Sequence, residues 1–294
     1  MIRTFRYTIT EKDAGKTIET FLLEREYTPA CIKHLKKAEK RIAVNGIWEF
    51  VNKKLKAGDL LETTFVEDGG SENIPAVDMP LDIVYEDEDI LVINKVANVP
   101  IHPSKGYEYS SLANGVIYYY EKKGIPFVFR SVNRLDQNTT GLEIVAKNML
   151  SGAILCESMR KREIHRTYLA ITEGELPENG RIELAIGRRE GSAVERCIDE
   201  NGQTAVTHFE RLSYANGHSL AKVILETGRT HQIRLHMRAI GHPLPGDSLY
   251  NPNFEVIARH PLHSWKLEFA HPITKEVMRF EQELPEDMKK IIEL

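Results

Sequence analysis

The chain has 294 residues, enough for one large domain and a small one, and it contains no run of roughly eighteen apolar residues that would mark a membrane span. Its 39 lysines and arginines against 43 aspartates and glutamates leave a formal charge of −4, so total charge alone does not mark a polyanion binder. The three cysteines, Cys31, Cys156 and Cys197, form neither a disulfide framework nor a zinc spacing, and MIRTFRYTIT lacks a signal peptide's apolar stretch, so a soluble, cytoplasmic protein is expected.

Residues 12–63 read as a small module. Ile18, Phe21 and Leu22 recur at helical spacing, and Ile32, Leu35 and Ala38 do so after Thr28-Pro29. Short strands are expected around 42–44 and 60–65, joined through Asn45-Gly46 and Ala57-Gly58-Asp59 turns. Lys33, Lys36, Lys37, Lys40 and Arg41 make the second helix and its exit basic. Residues 67–80, EDGGSENIPAVDMP, are acidic and rich in Gly and Pro, and read as a linker. Acids continue through Asp89 without an intervening lysine or arginine, so charge is segregated along the chain, which suits RNA binding on one face, although any single basic cluster alone reads as a solvated helix face.

Beyond residue 80 the pattern is mixed. A hairpin is expected over 83–85 and 91–95, then a helix capped by Ser110 or Ser111 and ending at Gly124. Strands are expected near 127–130, 142–146, 166–173, 181–186, 203–213 and 219–226. Helices are expected near 148–161 and 231–239, with a last strand pair toward the C-terminus. Long strands with few helices indicate an α+β fold, with a mainly antiparallel mixed sheet and flanking helices.

The most informative segment is VNRLDQNTTGLEIVAKN at 132–148. Arg134-Leu135-Asp136 delivers a carboxylate into a polar turn, Gly141 permits a backbone conformation closed to other residues, and the apolar run after it anchors the loop as a core strand. A carboxylate on a loop pinned by a rigid strand is a usual way to present a catalytic group. Histidines 231, 236, 242, 260, 263 and 271 do not form a metal pattern: HxxxxH is a poor ligand spacing, and no glutamate lies between the first pair as HExxH requires.

The 132–148 segment resembles the catalytic motif HRLDxxTSGLLLLAK of the RluA/RluD family of RNA pseudouridine synthases. HRTYLAITEG at 165–174, LETGRTHQIRLHMR at 225–238, GHPLPGDSLYN at 241–251 and LHSWKLEFAHPITKE at 262–276 resemble its later blocks in order, so the likeness spans residues 81–294. It departs at Asn133, Thr140 and Glu143, where the family has His, Ser and an apolar residue, and at Val96 and Asn98 in the loop after Lys95. Residues 1–66 resemble the small RNA-binding domain of ribosomal protein S4, with Ala30-Cys31 in place of its Ser-Arg pair.

The resemblance implies isomerisation of uridine to pseudouridine in structured RNA, above all large-subunit ribosomal RNA, with transfer RNA as the other target, by a monomer needing no metal, cofactor or membrane. It assigns catalysis to Asp136, Tyr168 and Arg234. Asp136 either attacks C1′ or takes a proton from C2′; Tyr168 either stacks on the flipped uracil or removes a late proton. Arg234 keeps Asp136 ionised through a two-point contact. Arg134, Arg166 and Ile233 are expected to meet RNA around the extruded nucleotide, and Lys33, Lys36, Lys37, Lys40 and Arg41 to meet phosphates. A glycosidase would need a second well-placed carboxylate, which the motif lacks. The rival reading is a non-catalytic RNA-binding or assembly protein on the same fold; the presence of Asp136, Tyr168 and Arg234 together favours the enzyme. The division of labour predicts that a chain beginning near Asp78 folds and turns over slowly without residues 1–66.

Overall fold

A computed structural model describes residues 1–71 and 73–293; Glu72, inside the expected linker, and Leu294, at the end of the expected catalytic domain, lie outside the described residues. The N-terminal part contains β1 (Ile2–Thr8), a 3-10 turn at Glu11–Asp13, α1 (Ile18–Leu23), α2 (Pro29–Leu35), β2 (Ile42–Val44), β3 (Ile47–Trp48) and β4 (Leu60–Val66). Thr17 and Thr28 cap the two helices by accepting from Thr20 N and Cys31 N. The strands form an antiparallel sheet in the order β1-β4-β2-β3. β1 was not expected: it buries little beyond Phe5, and its partner β4 lies almost sixty residues away in sequence. The second helix also stops sooner than its periodicity predicted. It ends at Leu35 with Lys36 as C-cap, Ala38 is exposed, and Lys40 turns the chain at φ 67°.

The remainder comprises β5 (Ile83–Glu86), β6 (Ile90–Lys95), α3 (Leu112–Glu121), β7 (Thr140–Ala146), α4 (Met149–Lys161), β8 (His165–Glu173), β9 (Asn179–Glu183), β10 (Ile186–Arg188), β11 (Arg196–Ile198), β12 (Val206–Ala215), β13 (His218–Leu225), α5 (Gln232–Ala239), β14 (Leu262–Ala270), β15 (Val277–Glu281) and α6 (Glu286–Ile292). Among the described residues these build a nine-stranded sheet, β5-β6-β7-β14-β8-β13-β12-β9, with β15 added to β14. Its pairings are antiparallel except β7 with β14, which run parallel through Thr140–His263 and Gly141–Ser264. This is the α+β architecture the sequence predicted. The expected strand at 127–130 is instead an extended segment in which Ser131 alone bridges β7, because Phe127 and Phe129 turn into the core. The expected strand at 181–186 divides into β9 and the β10–β11 hairpin. Neither that hairpin nor α6 was legible in the pattern.

β7 is buried at all seven positions, which is why its sequence reads as a continuous apolar run rather than an alternation. One side of the sheet packs Leu91, Ile93 and Val145 against α3, where Tyr120 stacks on Phe127 with centroids 4.0 Å apart. The other side packs Leu142 and Ile144 against Leu155 of α4 and Phe269 of β14.

The N-terminal part does not hang on a loose linker. Its core closes over Leu150 and Ile154 of α4, so the two parts share buried apolar surface. Arg3 forks onto Asp89 at 3.0 and 2.8 Å, and Arg130 binds Glu67. Ser71 N donates to Phe127 O at 3.0 Å, Val77 N to Asn114 O at 3.2 Å, and Asn114 Nδ2 to Pro75 O at 2.7 Å, strapping the expected linker along α3. A chain beginning at Asp78 would expose Leu150 and Ile154, each contributing about 1.5–3 kcal/mol by burial. Its melting temperature should fall by roughly 10 °C relative to the full chain, with aggregation near the transition. An unchanged, reversible melt by circular dichroism would show that the parts are independent.

Candidate active site

The RLD turn is held from three directions. Thr139 N donates to Asp136 O at 3.0 Å and closes the turn. Lys95, 2% exposed, donates to Val96 O, Val99 O and Gln137 O, each at 2.8 Å, so one ammonium joins the loop after β6 to the residue beside Asp136. Burial pushes Lys95 down to about 7, with Glu143 and Asp136 opposing. Three carbonyl acceptors match the three donors of an ammonium, and they favour the charged form. Asn98, at φ 61°, donates from its backbone N to Asn138 Oδ1 at 3.1 Å and accepts from Gln137 Nε2 at 2.9 Å. From β14 and the residues before it, Arg259 reaches Asn138 O at 3.1 Å and His260 lies 3.1 Å from Thr139 Oγ1. Gly141 sits at φ +102°, where an added Cβ would stand 2.3 Å from Ser264 O, so only glycine lets β7 meet β14 here.

Asp136 and Arg234 are 98 positions apart in sequence, and the fold joins Arg234 Nη1 to Asp136 Oδ2 at 2.9 Å. The expected two-point contact goes elsewhere. Arg234 Nε and Nη2 each donate to Asp247, both at 2.7 Å, and Asp136 receives a single N–H. Asp247 is buried and also accepts from Leu249 N at 3.1 Å and Tyr250 N at 3.2 Å, while the guanidinium lies over the Tyr250 ring at 5.0 Å. Arg234 is therefore a buried ion-pair centre and not a surface arginine of α5. The Asp136 side chain keeps 23% exposure, so one face still meets the hollow above it.

Burial pushes the Asp136 carboxyl up, but the cationic groups facing it bring it below the ordinary range: His231 when protonated, Arg234 and His260. Burial lowers both histidines, His260 to about 3, so at neutral pH Arg234 is the lasting cation among them. For Asp247 the same balance of burial against Arg234 also ends below the ordinary range.

Asp136, Tyr168, Arg234, Arg134 and Ile233 line one hollow, so the structure brings these five expected residues together. Tyr168 is 4% exposed and fixed in β8 between Ser264 of β14 and Val223 of β13. Arg134 is exposed at the rim. The hollow opens outward into a space of about 400 Å³ that shares Arg134, Asp136, His231 and Arg234 and extends past Val194 after β10. Arg166 lies in a neighbouring cleft instead. Lys33, Lys36, Lys37, Lys40 and Arg41 belong to the N-terminal part and line neither hollow. Of these, Arg41 folds back onto His34 O at 3.2 Å.

Sequence reasoning assigned no role to Asp247, His231 or His260. The signal for Asp247 was Gly246-Asp247: Gly246 has φ +65° and would place a Cβ 2.5 Å from Ile257 O, a tight turn that delivers an acid. The departure at Glu143 is a fully buried carboxyl on β7. Ser131 Oγ donates to its Oε1, its Oε2 has no hydrogen-bond partner, and burial raises it to about 8 against Lys95, Arg134 and Arg166. Among the histidines, His271 lies with Asp87 and Asp89. Asp89 is taken by Arg3 and Asn148, and Asp87 by Tyr85 and two backbone N–H groups, so this cluster is a structural knot.

In Arg234→Met, burial acts unopposed on Asp136 and Asp247, both carboxyls rise, and activity lost at neutral pH should partly return as pH increases; a pH–rate profile parallel to wild type would mean Arg234 does not tune Asp136. Glu143 has a folded value above its ordinary 4.5, so the fold holds an extra proton and loses stability as pH rises from about 4.5 to about 8. Glu143→Gln should flatten that decline by a few kcal/mol, read as melting temperatures at pH 5.5 and 8. An identical decline in the variant would place the titration elsewhere.

The sequence profile described as RNA pseudouridylate synthase matches residues 89–239. The Bacillus subtilis (strain 168) protein YjbO, described as an uncharacterized RNA pseudouridine synthase, is 42% identical over 252 residues, covering 85% of this chain and 89% of that one. Ribosomal large subunit pseudouridine synthase D of Escherichia coli (strain K12) is 33% identical over 306 aligned positions, covering 98% and 93%. Among solved structures, human RNA pseudouridylate synthase domain containing 1 aligns with a TM-score of 0.58 and 28% identity, over 76% of this chain and 89% of that one. With the RLD aspartate, its arginine and the strand tyrosine in one hollow, the chain belongs to the RNA pseudouridylate synthase family and isomerises uridine in RNA.

Proposed function

We propose that this protein makes pseudouridine in large-subunit ribosomal RNA, with Asp136 as the essential carboxylate, Arg234 as the group that holds it ionised, and Tyr168 and Ile233 as the walls of the uracil pocket. The contact between Arg234 and Asp136 carries this reading, because it keeps a carboxylate charged in a site where burial would neutralise it. The ribosomal target rests on the likeness to the large-subunit synthase over nearly the whole of both chains.

The reaction breaks the N1–C1′ bond and forms C5–C1′. The C5 proton leaves and N1 gains one, so the step balances without a co-reactant. Asp136 spends Oδ2 on Arg234 and leaves Oδ1 for the ribose, where it serves as nucleophile at C1′ or base at C2′. Tyr168 is rigid in its strand and offers an aromatic face or a hydroxyl to the flipped base. Burial and the nearby Glu143 and Asp136 charges raise the Tyr168 hydroxyl, partly offset by Arg166, which suits packing and hydrogen-bond donation at neutral pH. Closing the base between Tyr168 and Ile233 keeps water from the cleaved sugar.

For residues 1–66 we infer an S4-like RNA-binding role. Two short helices packed on a small sheet, and the exposed Lys33, Lys36, Lys37 and Lys40 at the end of α2, support it. Phosphate contacts there would add affinity without adding chemistry.

Asp136→Asn should keep the fold and RNA affinity while release of tritium from C5-labelled uridine RNA falls below about a hundredth of wild type. Turnover above that level would remove Asp136 from the chemistry.

A further inference from the structure

Beside the catalytic hollow lies a cleft of about 620 Å³ that the reaction does not use, bounded by the end of α4, the start of β8 and the turn from β13 toward α5. Its floor is apolar, made by Met159, Ile164, Ile224 and Leu225, and Ile224 is 43% exposed. Arg160, Arg162, Arg166 and Arg229 stand around it. Glu226 is the one carboxylate among its described lining residues, and it is engaged by His208 at 2.6 Å and by Arg162 at 3.7 Å.

Leu225 and Arg229 line both this cleft and the catalytic hollow, so the two spaces adjoin. Arg166 marks the junction. It lies two residues before Tyr168 on β8, hence on the same face of the strand. Its guanidinium rests against Gly228, where an added Cβ would come within 3.2 Å of Nη1, and its Nε is buried with no hydrogen-bond partner. Arg166 also lines the cleft, and there a phosphate oxygen would match its guanidinium in charge and geometry.

We propose that this cleft binds the nucleotide adjacent to the target uridine, with its phosphate between Arg166 and Arg229 and its base or sugar over Met159, Ile164 and Ile224. The occupant is single-stranded RNA: a basic rim tracks the backbone, while an apolar floor without a hydrogen-bonding pattern accepts any base. The inference rests on the synthase reading and adds to it a second nucleotide subsite. Arg160 and Arg162, with side chains 74% and 64% exposed, then steer the strand away from the pocket along the end of α4.

The probes are uridine monophosphate and oligouridylates of three and five nucleotides, titrated against the full chain. Going from one to three nucleotides should tighten binding by about tenfold or more. Arg162→Ala and Ile224→Glu, both at exposed positions, should each remove most of that gain and leave monophosphate binding as in wild type. The salt dependence of Arg162→Ala should fall by about 0.7 in log–log slope for each phosphate that is no longer neutralised. As a check that needs no variant, irradiating wild type with a 4-thiouridine-labelled trinucleotide should cross-link peptides containing 159–166 or 224–229. Cross-links confined to other peptides, or a full length-dependent gain in both variants, would overturn the proposal. Tritium release by wild type separates the two readings: with turnover intact, such a result sinks the cleft alone, and with turnover absent the synthase reading falls first.

Discussion

One guanidinium serving two carboxylates is the constraint on which the site depends. Arg234 gives its planar two-point contact to Asp247, which is buried, and a single N–H to Asp136, which meets the hollow. A lone buried charge in this position would neutralise itself by taking up a proton, and removing one partner of a buried pair typically costs about 3–5 kcal/mol. Asp247 is the anchor: it fixes the arginine's plane, with two backbone N–H groups fixing Asp247 in turn. Two carboxylates around one cation leave an excess negative charge, and Asp136, with a single N–H from the arginine, is the carboxylate that meets the hollow.

The rest of the fold keeps that aspartate from moving. Gly141 lets β7 approach β14 closely enough for a short parallel pairing, which places the RLD turn at the end of a fully buried strand. Lys95 and Asn98 grip the turn from the β6 side and Arg259 with His260 from the β14 side. These contacts reach backbone carbonyls, an amide side chain and the Thr139 hydroxyl rather than the carboxylate, so they position Asp136 without consuming its acceptors. The same economy explains why a buried lysine is tolerated: its three donors meet three carbonyls.

The acidic run from Glu67 to Asp89, conspicuous in the sequence, is largely internal glue. Asp89 takes Arg3, Glu67 takes Arg130, and Glu86 takes Lys147 and two tyrosine hydroxyls. Charge that looked segregated along the chain is paired in space, and it ties the N-terminal part to the large sheet. Arg134 at the rim of the hollow, Arg160 and Arg162 beside the adjoining cleft, and the lysines at the end of α2 face solvent instead.

Local patterning was sufficient for the α+β class, a serine cap on α3 at one of the two candidate positions, the hairpin of β5 and β6, and the buried character of β7, because each follows from the spacing of a few neighbouring residues. The RLD block and its later companions, by resemblance, also carried Asp136, Tyr168 and Arg234. What the chain did not disclose depends on partners distant in sequence. β1 is a strand because β4 lies beside it, and the expected strand at 127–130 yields to a core that takes Phe127 and Phe129. Glu67 reads as linker and acts as an ion-pair partner. Arg234 could be assigned to Asp136, but only the fold decided that its fork belongs to Asp247, since a guanidinium has five donors in one plane and the acceptor arriving in that plane is set by packing across 13 residues on one side and 98 on the other.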